Sequence, residues 1–515
     1  MNCDIFSKSL TSFISPLKES VSKLSDNNII ELFLNPKSVA VIGASTNPMK
    51  GGNWILNNLT INNFKGKIYP INPNTEGKIL GLEIKKSVLK VDDEIDLAIF
   101  YVPNRLIPGL LEECIQKKIK GAIIEASGFE EVGEHGLELK NQILKITDNF
   151  SKIRIVGPNC MGVTRIDADS DSTDKGGFFS SFGVLTNYKT GNIAIISQSG
   201  MLNGGYLLQL TTMYPDLGIR YSCSIGNKMD IGEIEFLEYM LKDPTVNVIA
   251  IYLESFKDPR KFIELCRKAK TIPDKTIILV KGGKTNQGQK ASLSHTGAIA
   301  EDGKLIEAVI KQAGVIQVNS FYELFQTARV FSMMYNAGKQ LPKSGNVAMI
   351  VGSGGAGTIS ADLTIRYGLK FPILGDWAYK TLVDVFPDWM PPNRFALVDI
   401  WPAIEKAKDK VNEMMTLVLK TILDEPEIDG LFSQVFCAKR SMDINSIDKR
   451  IELTSKSHKP VFYWLIGEHD EVIRISQLLA QHNIPSFINL KEMVKSYSLL
   501  VRESNKKEKM LNNLN

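Results

Sequence analysis

Short apolar runs that end in small-residue turns recur along the chain, and they constrain its fold more than any other feature. The run "SVAVIGAS" (38–45) is rich in β-branched residues and ends in glycine, alanine and serine. The later runs "IDLAIFYV", "GAIIEAS" and "IRIVGPN" repeat this pattern, and segments of helical length such as "RLIPGLLEECIQKKI" separate them. Buried strands that alternate with helices predict parallel βαβ units, and therefore a doubly wound α/β fold.

Two later blocks of the sequence begin with segments that resemble each other. The segments "GNIAIISQSGMLNGGYLLQLTTM" (191–213) and "GNVAMIVGSGGAGTISADLTIRYG" (345–368) both read as a strand, a small-residue turn and a helix. Later in each block, "DKTIILVKGGKTN" (274–286) and "HKPVFYWLIGEHD" (458–470) both run from a strand into a glycine-containing turn. We therefore predict one kind of α/β domain, used twice.

The length of 515 residues is typical of about three domains. The predicted organisation is an N-terminal extension at 1–32, a first α/β block at 33–165, an irregular connection at 166–190, a second block at 191–335, a linker at 336–345, a third block at 346–503 and a polar, frayed tail at 504–515.

Composition excludes several classes of protein. The net charge of +4 is too small to indicate a nucleic-acid or membrane-surface partner. The six cysteines are scattered without CxxC spacing, which predicts reduced thiols and no metal site. No apolar run approaches the roughly 18 residues of a membrane span, and we read no secretory signal at the N-terminus. These features predict a cytoplasmic protein.

The turns of the first block predict a ligand site at one edge of its sheet. The turn "GASTNPMKGG" (43–52) follows the first strand but matches neither GxGxxG nor GxxxxGK[ST], so a plain tight turn and a phosphate-binding turn both remain open. The segments "VPN" (102–104), "EASGFEEVG" (125–133) and "GPNCMGV" (157–163) end later strands. Strand ends of a parallel sheet share one edge, where ligands bind. Asn159 could orient a ligand or simply form a turn.

The two matching turns of the second and third blocks predict an anion site gripped from two sides. Each lies between a strand and a helix, so backbone N–H groups and a positive helix end would face the anion. The residues concerned are Ser197, Gln198, Ser199 and Gly200 in the second block and Ser353, Gly354, Gly355, Ala356 and Gly357 in the third.

His295 is the candidate nucleophile. It lies in "SLSHTGAIA" (292–300), where small neighbours leave room for a phosphoryl group on the imidazole. A phosphohistidine needs a carboxylate to fix the tautomer of the ring. Glu254, at the end of the apolar run "VIAIYLESF", offers one, although a strand-end glutamate in solvent is the plainer interpretation.

At this point the motifs resemble a known family. In the family order, the chain carries "VAVIGAS", "YPINPN", "GPNCMGV", "ISQSG" and "LSHTGAIA". Over roughly residues 33–500 it resembles the α subunit of NDP-forming acyl-CoA synthetases, relatives of succinyl-CoA synthetase. The resemblance implies a Rossmann-like CoA-binding domain followed by two flavodoxin-like ligase domains. It implies CoA contacts from Gly43, Ala44, Ser45, Lys50, Asn72, Pro73, Asn74, Val102, Pro103, Ser127, Gly128 and Asn159.

The resemblance also implies the reaction. Acyl-CoA, phosphate and ADP or GDP would give the carboxylic acid, CoA and ATP or GTP, through an acyl phosphate and a phosphohistidine at His295 partnered by Glu254. We find no ATP-grasp domain in the sequence, so the nucleotide and Mg²⁺ are expected on a separate ATP-grasp β subunit, possibly in an α2β2 assembly.

Two alternatives remain at this stage. A catalytically silent CoA-binding or regulatory protein of the same fold is disfavoured by the presence of both His295 and Glu254. An NAD-linked oxidoreductase is disfavoured by the missing GxGxxG motif.

The segment "GGFFSSFG" (176–183) departs from the family pattern and leaves the acyl substrate open. Its residues Phe178, Phe179 and Phe182 could line an acyl pocket or pack a loop, and we favour packing.

Overall fold

The structure is a computed structural model that describes residues 26–167, 176–183, 189–214, 216–296, 302–439 and 447–513. The side chains of residues 26–28 and 293–296 also lie outside the described part. Most of the predicted N-terminal extension therefore lies outside it, as do residues 297–301 after His295.

The first domain is a parallel five-stranded sheet with helices on its faces. Its main strands are β1 (Ser38–Ile42), β2 (Lys67–Ile71), β5 (Leu97–Phe100), β6 (Gly121–Ile124) and β7 (Arg154–Val156), and a small hairpin of β3 (Lys78–Ile79) and β4 (Leu82–Glu83) lies between β2 and β5 in the chain. The helices are α1 (Asp26–Leu34), α2 (Gly51–Ile61), α3 (Ile107–Gln116) and α4 (Glu134–Thr147).

The strand order of this sheet is β2-β1-β5-β6-β7. A single parallel bridge between Ile71 and Lys85 adds the beginning of one more strand outside β2. The N–H of Lys85 donates to the carbonyl of Pro70, and its own carbonyl accepts from Asn72. With this rudimentary strand the order becomes that of the dinucleotide-binding folds, so the predicted Rossmann-like class is confirmed.

The second domain is built on a seven-stranded sheet of order β14-β13-β12-β10-β11-β8-β9. Its strands are β8 (Val163–Ile166), β9 (Gly177–Phe179), β10 (Lys189–Ser197), β11 (Gly218–Ser224), β12 (Val248–Leu253), β13 (Thr276–Lys281) and β14 (Ile316–Val318). Its helices are α5 (Leu207–Met213), α6 (Glu233–Lys242), α7 (Pro259–Lys270), α8 (Asn286–Thr296), α9 (Gly303–Ala313) and α10 (Phe321–Asn336). The five parallel strands have the flavodoxin-like order.

The connection predicted to be irregular at 166–190 is partly a strand. β9 lies within it and pairs antiparallel with β8, which in turn pairs antiparallel with β11. Phe178 and Phe179 are buried on β9, where they pack the core. The sequence did not indicate this extension because the strands are short and border a segment rich in Asp, Ser and Gly.

The third domain repeats the flavodoxin-like order in a parallel sheet, β16-β15-β17-β18-β19. Its strands are β15 (Val347–Val351), β16 (Leu397–Asp399), β17 (Gly430–Cys437), β18 (Val461–Gly467) and β19 (Ser486–Phe487). Its helices are α11 (Gly354–Arg366), α12 (Asp376–Val385), α13 (Trp401–Ala407), α14 (Val411–Asp424), α15 (Ile447–Lys456), α16 (His469–Gln481) and α17 (Leu490–Asn512).

The residues predicted as a polar, frayed tail continue helix α17 as far as Asn512. Glu503 on this helix forms a fully buried ion pair with Lys270 of α7, and Lys507 donates to the carbonyl of Ile272. These contacts with the second domain hold the last turns in place, although their sequence is polar. No helix in the described residues is long and apolar enough to cross a membrane.

The first and second domains share one hydrophobic core, which joins residues of α1 and α2 to β9 and β10. Polar contacts cross the same boundary. Arg154 at the start of β7 forms a two-point ion pair with Asp230, and Asn58 of α2 donates to the carbonyls of Ser181 and Gly183, each at 2.7 Å. The walls of any cleft between these two domains are therefore fixed relative to each other.

Candidate active site

A large cleft lies at the carboxyl edge of the first sheet and extends to the start of the helix that follows β10. Its volume is about 1350 Å³, enough for a ligand of cofactor size. All but one of the twelve predicted CoA contacts line it, namely Gly43, Ala44, Ser45, Lys50, Asn72, Pro73, Asn74, Val102, Pro103, Ser127 and Asn159. The exception is Gly128, whose carbonyl accepts a 2.6 Å hydrogen bond from the lining residue Asn104.

The turn after β1 must begin with glycine because its backbone packs closely against the end of β5. Gly43 has φ +95°, and a Cβ there would lie 2.1 Å from the carbonyl oxygen of Tyr101. The N–H of Gly43 donates to the carbonyl of Ile71 at 3.0 Å. The side-chain amide of Asn72 donates to the carbonyl of Ala44 at 2.7 Å. The turns after β1 and β2 are therefore braced into one wall.

Asn159 braces the cleft as well as lining it. Its backbone is left-handed, with φ +56°, and its N–H donates to the carbonyl of Ala126. Its side-chain amide donates to Asn227 at 3.2 Å, and Asn227 donates to Glu131 at 2.6 Å. The other oxygen of Glu131 accepts from the N–H of Gly128 at 2.6 Å. This chain of hydrogen bonds ties the turn after β6 to the second domain.

The turn after β10 supplies the far end of the cleft. Gln198, Ser199 and Gly200 line it, and the helix that begins at Gly200 passes through a π-helical segment, Leu202–Tyr206, before α5. Ser197 does not line the cleft, and its hydroxyl donates to the carbonyl of Ser199 and accepts from the Ser199 N–H. The N–H of Gln198 also donates within the protein, to the carbonyl of Tyr252, so an anion at this turn would meet the N–H groups at the start of the helix, from Gly200 onward.

Gln198 acts as a brace between two strand ends. Its side-chain oxygen accepts from the N–H groups of Glu254 at 2.7 Å and Ser255 at 3.1 Å. Gln198, which the sequence predicted to bind an anion, therefore holds the backbone of Glu254, the predicted partner of His295.

Glu254 is half-buried just beyond β12, and both of its carboxylate oxygens accept hydrogen bonds. Tyr252 donates to one oxygen and Ser292 to the other, each at 3.2 Å. Burial and the neighbouring carboxylate raise the pKa of Tyr252, so it stays a hydroxyl donor. Ser292 lies on α8 three residues before His295, and positions three apart share one face of a helix.

His295 lies in the last turn of α8, but its side chain lies outside the described part of the structure. Two observations place its helix. Ser292 sets one face of α8 on the Glu254 carboxylate, and α8 also contacts the 3-10 turn Glu130–Val132 of the first domain. The helix that carries His295 therefore lies between the candidate carboxylate and the first-domain turn that follows the cleft-lining residues Glu125, Ala126 and Ser127. The pairing of His295 with Glu254 stays a prediction.

The third-domain turn lies elsewhere in the described structure. None of the residues from Ser353 to Gly357 lines the cleft. Ser353 caps α11 by accepting from the Ala356 N–H at 3.2 Å, and the Gly352 N–H donates to Gln434 at 2.7 Å. The third-domain turn is therefore not part of the lining of this cleft, and an anion bound from both sides stays a prediction.

Some cleft residues, Lys86 and Tyr101 among them, lie outside the turns predicted from the sequence. Lys86 adds a second lysine to Lys50 on the lining, and Tyr101, Met161 and Phe182 form an apolar corner near the start of the second-domain helix. Of the three phenylalanines considered for an acyl pocket, Phe182 alone lines the cleft.

Glu125, the first residue of the predicted turn at 125–133, is the most unusual residue on the lining. It lines the cleft, yet its side chain is almost completely buried. Burial raises its pKa well above the ordinary value, and the backbone N–H of Phe182 offsets only part of that shift. A signal was available, because Glu125 ends the apolar run "GAIIE" at the strand end.

Comparison with known families agrees with this architecture. A family model described as a CoA binding domain matches residues 37–165, and one described as a succinyl-CoA ligase like flavodoxin domain matches residues 190–331. Together with the cleft between them, these matches define the class: a CoA-binding domain joined to a succinyl-CoA ligase-like domain.

Comparison with individual proteins makes the family assignment more specific. The chain is 33% identical over 495 residues to the α subunit of ADP-forming acetate–CoA ligase I of Pyrococcus furiosus, covering 93% of this chain and 99% of that protein. It is 36% identical over 456 residues to ADP-forming acetate–CoA ligase II of Archaeoglobus fulgidus, covering 88% of this chain but only 64% of that longer protein.

A solved structure supports the same assignment. The dinucleotide-forming acetyl-coenzyme A synthetase 1 of Ca. Korarchaeum cryptofilum, in complex with phosphate and ADP, superposes with a TM-score of 0.80 at 27% identity, covering 95% of this chain and 99% of that chain. The chain therefore belongs to the family of ADP-forming acetate–CoA ligases.

Proposed function

We propose that this chain is the CoA-binding, phosphohistidine-carrying α subunit of an NDP-forming acyl-CoA synthetase. The observation that carries the proposal is the placement of α8, which lies on Glu254 through Ser292 and also contacts the first-domain turn Glu130–Val132. Family membership and the near-complete coverage of a protein named as an α subunit support it.

The cleft would hold acyl-CoA with its thioester toward the turn Gln198–Gly200. An oxygen of inorganic phosphate attacks the thioester carbonyl, the C–S bond breaks, and CoA leaves as the thiol after taking a proton. Backbone N–H groups at the start of the helix after β10 stabilise the anionic phosphate and the developing oxyanion. The product is an acyl phosphate.

A neutral imidazole nitrogen of His295 then attacks phosphorus, and the carboxylate of the acid leaves. Glu254 accepts a hydrogen bond from the other ring nitrogen and so fixes the tautomer. The phosphoryl group passes from His295 to ADP or GDP, which regenerates the histidine. We place the nucleotide and the Mg²⁺ that neutralises its charge on a separate ATP-grasp β subunit, in a cytoplasmic hetero-oligomer.

Labelling with radioactive phosphate tests this proposal. The chain is co-expressed with an ATP-grasp subunit and incubated with ³²P-phosphate and a panel of acyl-CoA esters. We expect acid-labile label on this chain, dependent on acyl-CoA, and its discharge by ADP or GDP as labelled nucleoside triphosphate. CoA binding without any label would favour the silent CoA-binding alternative and would contradict the proposal.

Glu254→Gln should slow this labelling. The amide keeps the size of the side chain but cannot hold the imidazolium form or the correct tautomer of a partner histidine, so we expect a loss of about 10–100-fold in the labelling rate. Rapid-quench measurement of the labelled chain reads the rate directly.

Glu264→Gln is the matched control. Glu264 is an exposed carboxylate of the same domain, paired with Lys261 on α7. Equal labelling rates for the wild type and Glu254→Gln would remove Glu254 from the mechanism.

A further inference from the structure

Glu125 is a buried carboxyl group with no assigned partner. It follows β6, and its N–H continues the sheet by donating to the carbonyl of Phe100 at 3.1 Å. The residue is only 5% exposed, and neither carboxyl oxygen accepts a hydrogen bond of ordinary geometry from the residues that the structure describes. Buried polar groups are almost always satisfied, so this exception requires an explanation.

The polar groups around Glu125 are engaged elsewhere. The Ser180 hydroxyl donates to the carbonyl of Val163 at 2.9 Å, and the Cys160 thiol donates to the carbonyl of Ile124 at 3.3 Å. Gly162 leaves the carboxyl its space, because a Cβ at that position would lie 2.7 Å from Oε1 of Glu125. The fold thus makes room for the carboxyl but gives it no firm partner.

Three large and mainly apolar side chains line the same cleft as Glu125. The rings of Tyr101 and Phe182 lie 5.3 Å apart, and both residues line the same cleft. Met161 also lines it and packs over Gly200, where a Cβ would lie 2.8 Å from its Cγ. We call Tyr101, Glu125, Met161 and Phe182 the acyl corner. It lies beside the start of the second-domain helix, where the proposed function places the thioester.

We propose that Glu125 is a specificity-determining residue that hydrogen-bonds a hydroxyl group on the acyl chain, so that the site selects hydroxyacyl-CoA over the unsubstituted thioester. The inference rests on the proposed function, since it requires acyl-CoA in this cleft. A mainly apolar corner with one buried carboxyl group suits a short chain that carries one polar substituent. An unsubstituted chain would leave the carboxyl buried and unpaired, and such sites discriminate strongly against analogues that lack the hydroxyl.

A hydroxyl suits this group better than an ammonium does. Burial favours the neutral form of Glu125, which presents one donor and one acceptor, and a hydroxyl also presents one of each. An ammonium group would require the charged carboxylate in the same apolar corner. A titration that compares hydroxyacyl-CoA with aminoacyl-CoA esters therefore distinguishes a hydroxyl from an ammonium substituent.

Calorimetric titration of the full chain tests the inference. The ligands are CoA, butyryl-CoA, the 2-, 3- and 4-hydroxybutyryl-CoA isomers and 4-aminobutyryl-CoA. We expect one hydroxy isomer to bind wild type about tenfold or more tightly than butyryl-CoA does. Glu125→Met should remove this preference and leave the affinity for CoA unchanged. Glu125→Gln, whose amide also donates and accepts, should keep part of it.

Glu113→Gln is the matched control, because Glu113 is a carboxylate on the same cleft that already accepts a hydrogen bond from Ser87. It should leave the ratio of the two affinities unchanged. Glu125→Met should melt at or above the melting temperature of the wild type, since the substitution removes an unpaired polar group. If Glu125→Met does not fold, Glu125→Ala is used in its place.

Three results would overturn the inference and keep the proposed function: equal binding of all butyryl esters by wild type, a hydroxyl preference that survives Glu125→Met, or tightest binding of 4-aminobutyryl-CoA. Failure of wild type to bind CoA at all would overturn both.

Discussion

His295→Ala is expected to abolish acid-labile phosphorylation of the chain and to lower overall nucleoside triphosphate formation by roughly 10⁴-fold or more, because alanine leaves no nucleophile for the acyl phosphate. In the proposed order of steps, His295 acts after phosphate has cleaved the thioester. Release of CoA from acyl-CoA in a single turnover should therefore persist in this variant. Rapid-quench measurements that follow CoA and labelled protein together separate the two steps.

His482→Ala is the matched control for this experiment. His482 is an exposed residue at the end of α16 in the third domain, remote in sequence from the candidate site. It should label at the wild-type rate. Acid-labile label that persists on His295→Ala, or disappears with His482→Ala, would move the phosphorylated residue away from α8.

The position of α8 explains why a histidine on it could serve two steps. Ser292 holds one face of the helix on Glu254, while the helix also contacts the turn Glu130–Val132, which follows the cleft-lining residues Glu125, Ala126 and Ser127. Residues 297–301 follow the helix directly and lie outside the described structure. Under the proposed function, this position brings one helix close to both the candidate carboxylate and the edge of the cleft.

The fold was largely predictable because its signals are local. Apolar runs of strand length that alternate with helical segments indicate parallel sheets, and the two similar openings at Gly191 and Gly345 indicated a repeated domain. The pairing of β8 and β9 with the second sheet was not predictable, since short antiparallel strands are specified by the edge they meet. The rudimentary strand at the edge of the first sheet was not predictable either, because it consists of a single bridge at Lys85.

The candidate site was predictable where it depends on strand ends. The turns at Gly43, Asn72, Val102 and Asn159 meet because parallel strands end at one edge of a sheet. The roles of individual side chains were less accessible. Gln198 has the sequence signature of an anion turn, but its side chain is used to brace the backbone of Glu254, a contact formed between separate strands.

Glu125 shows why a buried group inside a site escapes sequence reasoning. A glutamate at a strand end ordinarily reaches water, and only the packing of Gly162, Cys160 and Phe182 around it removes that water. Cys160 is a titratable neighbour, and its thiol pKa is raised by burial and by the Glu125 carboxyl, so it remains a thiol over the neutral range. The ionisation of Glu125 itself therefore dominates the pH response of this corner.

Glu125→Gln is expected to become more stable relative to wild type as pH rises. Above the ordinary pKa of 4.5 the unfolded chain has lost the proton of Glu125, whereas the folded chain keeps it because burial raises the folded pKa. The folded state then binds more protons, so the free energy of unfolding of wild type falls with pH, by about 1.4 kcal/mol per pH unit up to the folded-state pKa. The amide does not titrate, so the variant lacks this loss, and the difference should be flat below pH 4.5. Urea unfolding of both proteins across this pH range measures the difference in their free energies of unfolding.

Glu125→Met should show the same change of this difference with pH from a different starting value. Parallel curves for the wild type and both variants would show that the carboxyl ionises freely in the folded protein.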